Sequence, residues 1–268
     1  MTNNTPRSLY LWLSLPLGAL LVISSYGGLF WPAAYSRETP LWAAQARGGD
    51  VVNLVVAAPV LLVSAVLGLR KSMAAQFIWL GTLLFLLYNF LIYALTVRFN
   101  SLFLVYCAIF GMSFYAFVIG LSSFSSREAA ALFSPRAPVK TIATVFLLVA
   151  AVFGVQWLRE IVPALLSGVA PKSVTDTGLP TNPVHFLDLA VALPGYVIAA
   201  VLLVRRRAAG YVWAPILLTL GILMFLAIAA MVIAMSRIGA ADGRVPALIF
   251  ASAAAGGALL LAKCLRTR

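Results

Sequence analysis

Charge is what this sequence has least of. Of its 268 residues only 10% are Asp, Glu, Lys or Arg, whereas 63% are hydrophobic. A soluble domain carries about 25% charged residues. So few charges cannot cover a water-facing surface, but a bilayer accepts the apolar exterior that water rejects. Histidine is nearly absent as well. His185 is the only one, so this chain cannot hold two haems through paired histidines. The two cysteines, Cys107 and Cys264, form no CxxC pair, which leaves thiol redox and zinc-ribbon chemistry without support. No lysine lies deep in an apolar run, so a mid-membrane Schiff base has no anchor. Walker, HExxH, GxSxG and kinase signatures are all missing.

What is present is a series of long apolar runs. Eight are long enough to cross a bilayer, at roughly 9–31, 51–69, 73–97, 101–124, 139–162, 184–204, 209–236 and 245–264. The expected fold is therefore an all-α integral membrane protein of eight transmembrane helices. The first run, Leu9 to Phe30, exceeds the 7–15 residues of a signal core and reads as a retained span. The two longest connections, 32–50 and 163–183, are rich in Pro, Gly, Ser and Thr and read as loops.

The net charge of +12 sits in short clusters between the runs, such as Arg70-Lys71 and Arg205-Arg206-Arg207. That is a topology signal rather than a nucleic-acid surface, so no nucleic-acid partner is expected. With the N-terminus inside, twelve Lys and Arg fall on the inner side and seven on the outer. The bias predicts an N-in, C-in protein of the cytoplasmic (inner) membrane, with the lipid bilayer as its constant partner.

Residues 50–71 align with 185–206. Eight of the 22 columns are identical, among them Pro59 with Pro194 and Arg70 with Arg205. Asp50 falls opposite His185, and Asn53 opposite Asp188. Weaker matches pair WPAAYS (31–36) with VPALLS (162–167) and AQFIW (75–79) with AGYVW (209–213). The expectation is a parallel duplication of a four-helix unit, with halves 1–137 and 138–268.

Ionisable groups inside spans are costly and often mark function. Asp188 lies 17 residues before Arg205, roughly 25 Å along a helix. On the same measure Asn53, Asp50, His185, Arg159 and Glu160 share its layer, at the outer rim of the bundle. His185 and Asp188 are three apart and share one helix face. These six are the candidate ligand-binding residues. With Glu160 or Asp50 they offer a His and carboxylate metal set; with Arg159 they offer a cup for an anionic group. The bland alternative is that Arg159 pairs with Asp188 or Glu160 and pins two helices together. The segment TNPVHFLD (181–188) also looks like a helix start capped by Thr181 or Asn182.

Three functional readings remain open on the sequence. The first is a permease-like protein that binds or transports a small molecule or ion at an outward-facing polar site between spans 2, 5 and 6. The second is a membrane enzyme using His and carboxylate chemistry at the outer leaflet. The third is a non-catalytic accessory subunit. Small residues at four-residue spacing in 252–257 suit close helix packing, within the chain or between two copies.

Overall fold

The structure is a computed structural model, and it describes residues 9–123, 133, 137–240 and 242–265. The described residues contain eight helices long and apolar enough to cross a membrane. They are α1 (Tyr10–Phe30), α2 (Pro40–Leu69), α3 (Met73–Thr96), α4 (Phe103–Ser122), α5 (Val139–Ser167), α6 (Pro183–Val204), α7 (Ala208–Arg237) and α8 (Arg244–Cys264). The chain is thus a multi-pass membrane protein. Of the basic residues used for topology, Arg7, Arg127, Arg136, Arg266 and Arg268 lie outside the described residues.

The centre of the bundle is α3 against α7. Their backbones come close at Gly81, where a Cβ would lie 2.6 Å from the Ile216 carbonyl oxygen and 2.4 Å from Thr219 Cβ. Helix α2 packs on both α3 and α7, and α4 packs on α3. Helix α1 closes the first four helices by touching α2 and α4. In the second four, α5 packs on α6 and α8 packs on α7. The aromatic rings of Phe153, Phe225 and Phe250 bridge α5, α7 and α8.

Helix α2 begins eleven residues before its hydrophobic run. The segment 40–50, expected as loop, is helical. Thr39 caps it by accepting from the Trp42 amide, and Pro40 stands at the first turn, where its missing N–H costs nothing. Gly48 and Gly49, which look like loop residues, serve close packing instead. A Cβ on Gly48 would sit 2.5 Å from Met231 Cα of α7. Thr39→Ala should cost about 1 kcal/mol, read as a lower thermal midpoint with an unchanged fold. The connection 163–183 is also shorter than expected, because α5 runs through Pro163 to Ser167 and stops at Gly168 in left-handed backbone.

Local irregularities recur at one spacing. A π-turn spans Asn53–Ala57 in α2 and another spans Asp188–Ala192 in α6. Each is followed by a proline in the next helical turn, Pro59 and Pro194. Each helix ends at an arginine, Arg70 or Arg205. The next residue, Lys71 or Arg206, has positive φ. The following helices start at Met73 and Ala208. Every one of these pairs is separated by 135 residues. On that spacing Ala75 stands opposite Gly210, one residue off the AQFIW and AGYVW match. WPAAYS and VPALLS do not correspond, since 31–36 is the turn after α1 and 162–167 is the last turn of α5.

Helix α8 presents Ala247, Ala254, Leu261 and Cys264 inward, at spacings of three and seven residues. Gly257 meets Ile222 of α7, so part of the small-residue run serves packing within the chain. Ser252 and Ala253 are exposed, and a Cβ on Gly256 would meet nothing within 4 Å.

Candidate functional site

The six residues expected in one layer divide between two clusters and the surface. His185, Asp188 and Glu160 come together where α5 meets α6. The π-turn begins at Asp188 and holds its carboxylate inward, 8% exposed. Both oxygens have neutral donors: Tyr88 Oη donates to Oδ1 at 2.9 Å, and Trp157 Nε1 donates to Oδ2 at 2.8 Å. The Trp157 indole also lies against the His185 imidazole, with ring centroids 4.6 Å apart. One aromatic residue therefore ties α5 to both polar groups of α6.

His185 sits in the first turn of α6. Asn182 caps that turn by accepting from the Val184 and His185 amides, as the TNPVHFLD segment suggested. His185 Nε2 has two competing neighbours. Glu160 Oε2 is 3.5 Å away and requires Nε2–H as donor. Asn182 Nδ2 is 3.4 Å away and requires Nε2 as acceptor. Which one is satisfied depends on the imidazole tautomer, and both distances leave room to tighten. Glu160 is held from its other oxygen by the Ser173 amide at 2.9 Å. Asn182 Nδ2 also reaches Ser173 Oγ at 3.1 Å. The short helix Lys172–Thr177 thus clamps the cluster from the connection between α5 and α6.

Beside this cluster runs a groove of about 730 Å³. Its walls are α5, through Ile161 and Leu165, and α6, through Phe186 and Leu189. The connection closes it at Val169 and Pro171, and Asn182 and His185 supply its polar end. Ligand sites typically occupy about 300–1,000 Å³ and combine apolar walls with a few placed polar groups.

Asp50 and Asn53 belong to a different cluster, between α1, α2 and α3. Asp50 is fully buried and accepts from Tyr35 Oη at 2.7 Å. Asn53 Oδ1 accepts from Asn89 Nδ2 at 3.0 Å. Adjacent residues of α3, Tyr88 and Asn89, therefore serve the two clusters separately. Tyr35 lies outside the spans. Burial first, then the neighbouring Tyr93 and Asp50, pushes its hydroxyl well above the ordinary value, so it remains a donor to Asp50.

Arg159 joins neither cluster. It is exposed, and among the described residues the basic side chain that approaches Glu160 is His185, at 3.5 Å. The expected pinning of helices by Arg159 is made instead by Trp157. A helix turns about 100° per residue, so Trp157 and Glu160, three apart, share the face that Arg159 leaves. Among the described residues no three His, Cys, Asp or Glu side chains are placed to hold a metal ion. The metal set weighed from the sequence is not assembled, because both Asp188 oxygens are taken by Tyr88 and Trp157 and Asp50 lies in the other cluster.

Sequence reasoning missed Tyr35, Trp157, Asn182 Nδ2 and Ser173 as members of these clusters. The i, i+3 spacing of Trp157 and Glu160 was a usable signal. The folding back of Tyr35 and Ser173 from loops was not.

Fold and geometry together define a polytopic helical membrane protein with buried carboxylates and an apolar groove. No protein-family model, no curated protein and no solved structure matches the chain.

Proposed function

We propose that this chain is a permease-like protein that binds an amphipathic small molecule in the groove between α5 and α6. The apolar body lies along Ile161, Leu165, Phe186 and Leu189, and the polar head meets His185 and Asn182. One observation carries this reading: the groove ends on a histidine whose ring nitrogen has two half-made contacts, to Glu160 and Asn182. A ligand head can take over either contact without stranding the other group.

Two further features favour it. The 135-residue recurrence of π-turn, proline, arginine and positive φ supports a duplicated four-helix unit, with halves 1–137 and 138–268. π-Turns often stand at functional positions, and here each opens on the polar residue of its cluster, Asn53 or Asp188. With N-in, C-in orientation in the inner membrane, the arginine-terminated ends of α2 and α6 face the cytoplasm. The groove then opens at the outer leaflet.

The test uses brominated single-chain amphiphiles, which quench tryptophan emission on contact. Quenching that disappears in Trp157→Phe reports occupancy of the groove. His185→Ala should weaken that binding at least tenfold, the equivalent of about 1.4 kcal/mol. Equal affinity in wild type and His185→Ala would remove His185 from the site.

A further inference from the structure

The cluster around Asp50 has chemistry of its own, and the groove plays no part in it. Asp50 is 0% exposed. Its Oδ2 accepts from Tyr35, but its Oδ1 has no hydrogen-bond partner. Ser24 Oγ, Ser25 Oγ, Asn53 Nδ2 and Tyr106 Oη are also buried without a partner, in residues at most 1% exposed. The Ser25 and Tyr93 side chains lie within interaction range of the Asp50 carboxylate. Tyr93 Oη, however, donates to the Ala46 carbonyl at 2.8 Å. Arg47, whose charge acts on Asp50, is exposed and makes no ion pair with it among the described residues.

Buried polar groups in folded proteins are almost always satisfied, so two interacting groups that both lack a partner, Asp50 Oδ1 and Ser25 Oγ, call for an occupant. An ionised carboxylate in an apolar interior also needs compensating charge. Asp50 Oδ1 and Ser25 Oγ are both oxygens, which suit a hard cation. One carboxylate supplies one negative charge, which a monovalent ion balances and a divalent ion exceeds. Space is tight. A Cβ on Gly28 would lie 1.9 Å from Asp50 Oδ2 and 2.7 Å from Tyr35 Oη. A small ion fits such packing better than a large one.

We propose that Asp50 Oδ1 and Ser25 Oγ form the core of a sodium-binding site, closed at the end of the bundle by Tyr35. Tyr35 keeps its proton and occupies Oδ2, which leaves Oδ1 for the ion. The cation compensates a buried charge with which no cationic side chain among the described residues forms an ion pair.

The test is the thermal midpoint of the full chain, purified in detergent, at fixed pH and ionic strength in choline chloride. Sodium chloride should raise the midpoint with the logarithm of its concentration. Potassium should need at least tenfold more to match it. Asp50→Asn should abolish the sodium response. Ser25→Ala, which removes only a hydroxyl, should shift the half-effect concentration at least tenfold upward, and it carries the test if Asp50→Asn does not fold. Asp176→Asn, an exposed carboxylate on the connection, should respond as wild type does. A midpoint equal in sodium and choline, or one that varies only with pH, overturns the proposal. So does a sodium response that survives unchanged in Ser25→Ala or Asp50→Asn.

Discussion

Gly48→Ala should lower the thermal midpoint of the purified protein sharply, while Gly256→Ala leaves it unchanged or slightly raised. The added methyl group at position 48 would lie 2.5 Å from Met231 Cα and 2.6 Å from Met231 N. Those are backbone atoms of α7, so no side-chain rotation relieves the clash, and α2 must move as a whole. Overpacking of this kind costs about 1–3 kcal/mol and sometimes more. Movement of α2 also displaces Asp50 and Asn53, two and five residues further along the same helix. At Gly256 a Cβ meets nothing within 4 Å, and alanine is the better helix former by about 1 kcal/mol. The comparison is made by scanning fluorimetry on both variants in the same detergent. Equal midpoints would mean that α2 and α7 do not approach as described.

Asp188→Leu should be the most damaging change in the α5–α6 cluster. It removes the acceptor for both Tyr88 Oη and Trp157 Nε1. A stranded buried donor costs about 1–3 kcal/mol, and partial exposure of Tyr88 and Trp157 places each at the lower end of that range. Asp188→Asn keeps one acceptor oxygen and should fall between leucine and wild type. Tyr88→Phe removes donor and hydroxyl together and strands only one oxygen lone pair, so it should cost least. Midpoints in the order wild type, Tyr88→Phe, Asp188→Asn, Asp188→Leu are expected. Trp157 emission should shift only in the Asp188 variants. If Asp188→Leu is as stable as wild type, the two hydrogen bonds do not hold α5 and α3 to α6.

The eight helices were legible because a span is a local property of composition and length. The arginine-terminated ends of α2 and α6 were also legible, from Arg70, Arg205 and the prolines before them. The start of α2 was not. Its first third, Pro40–Asp50, is stabilised by packing on α7 and by the Thr39 cap, and its Gly48-Gly49 pair resembles a loop in sequence. The π-turns were invisible too, although both begin at polar residues that the alignment had paired. At the site, His185 and Asp188 were found because three-residue spacing fixes a shared face. Depth along a helix was a weaker guide. It placed Asp50 and His185 in one layer but could not show that α3 stands between Asn53 and Asp188, serving one with Asn89 and the other with Tyr88. Arg159 was misjudged for a related reason. It has the right depth, but the neighbouring Trp157 and Glu160 turn inward and Arg159 turns out.

The central claim is that the groove between α5 and α6 holds an amphipathic molecule with its head at His185. Ala190 lines that groove and is exposed, so a larger side chain there fills space without disturbing the bundle core. Native mass spectrometry of the protein extracted in mild detergent, wild type beside Ala190→Trp, tests the claim directly. The account predicts a bound amphiphile on the wild type that is lost from Ala190→Trp at unchanged thermal midpoint. Equal occupancy in the two proteins, or none in the wild type across neutral, cationic and anionic single-chain probes, would contradict it.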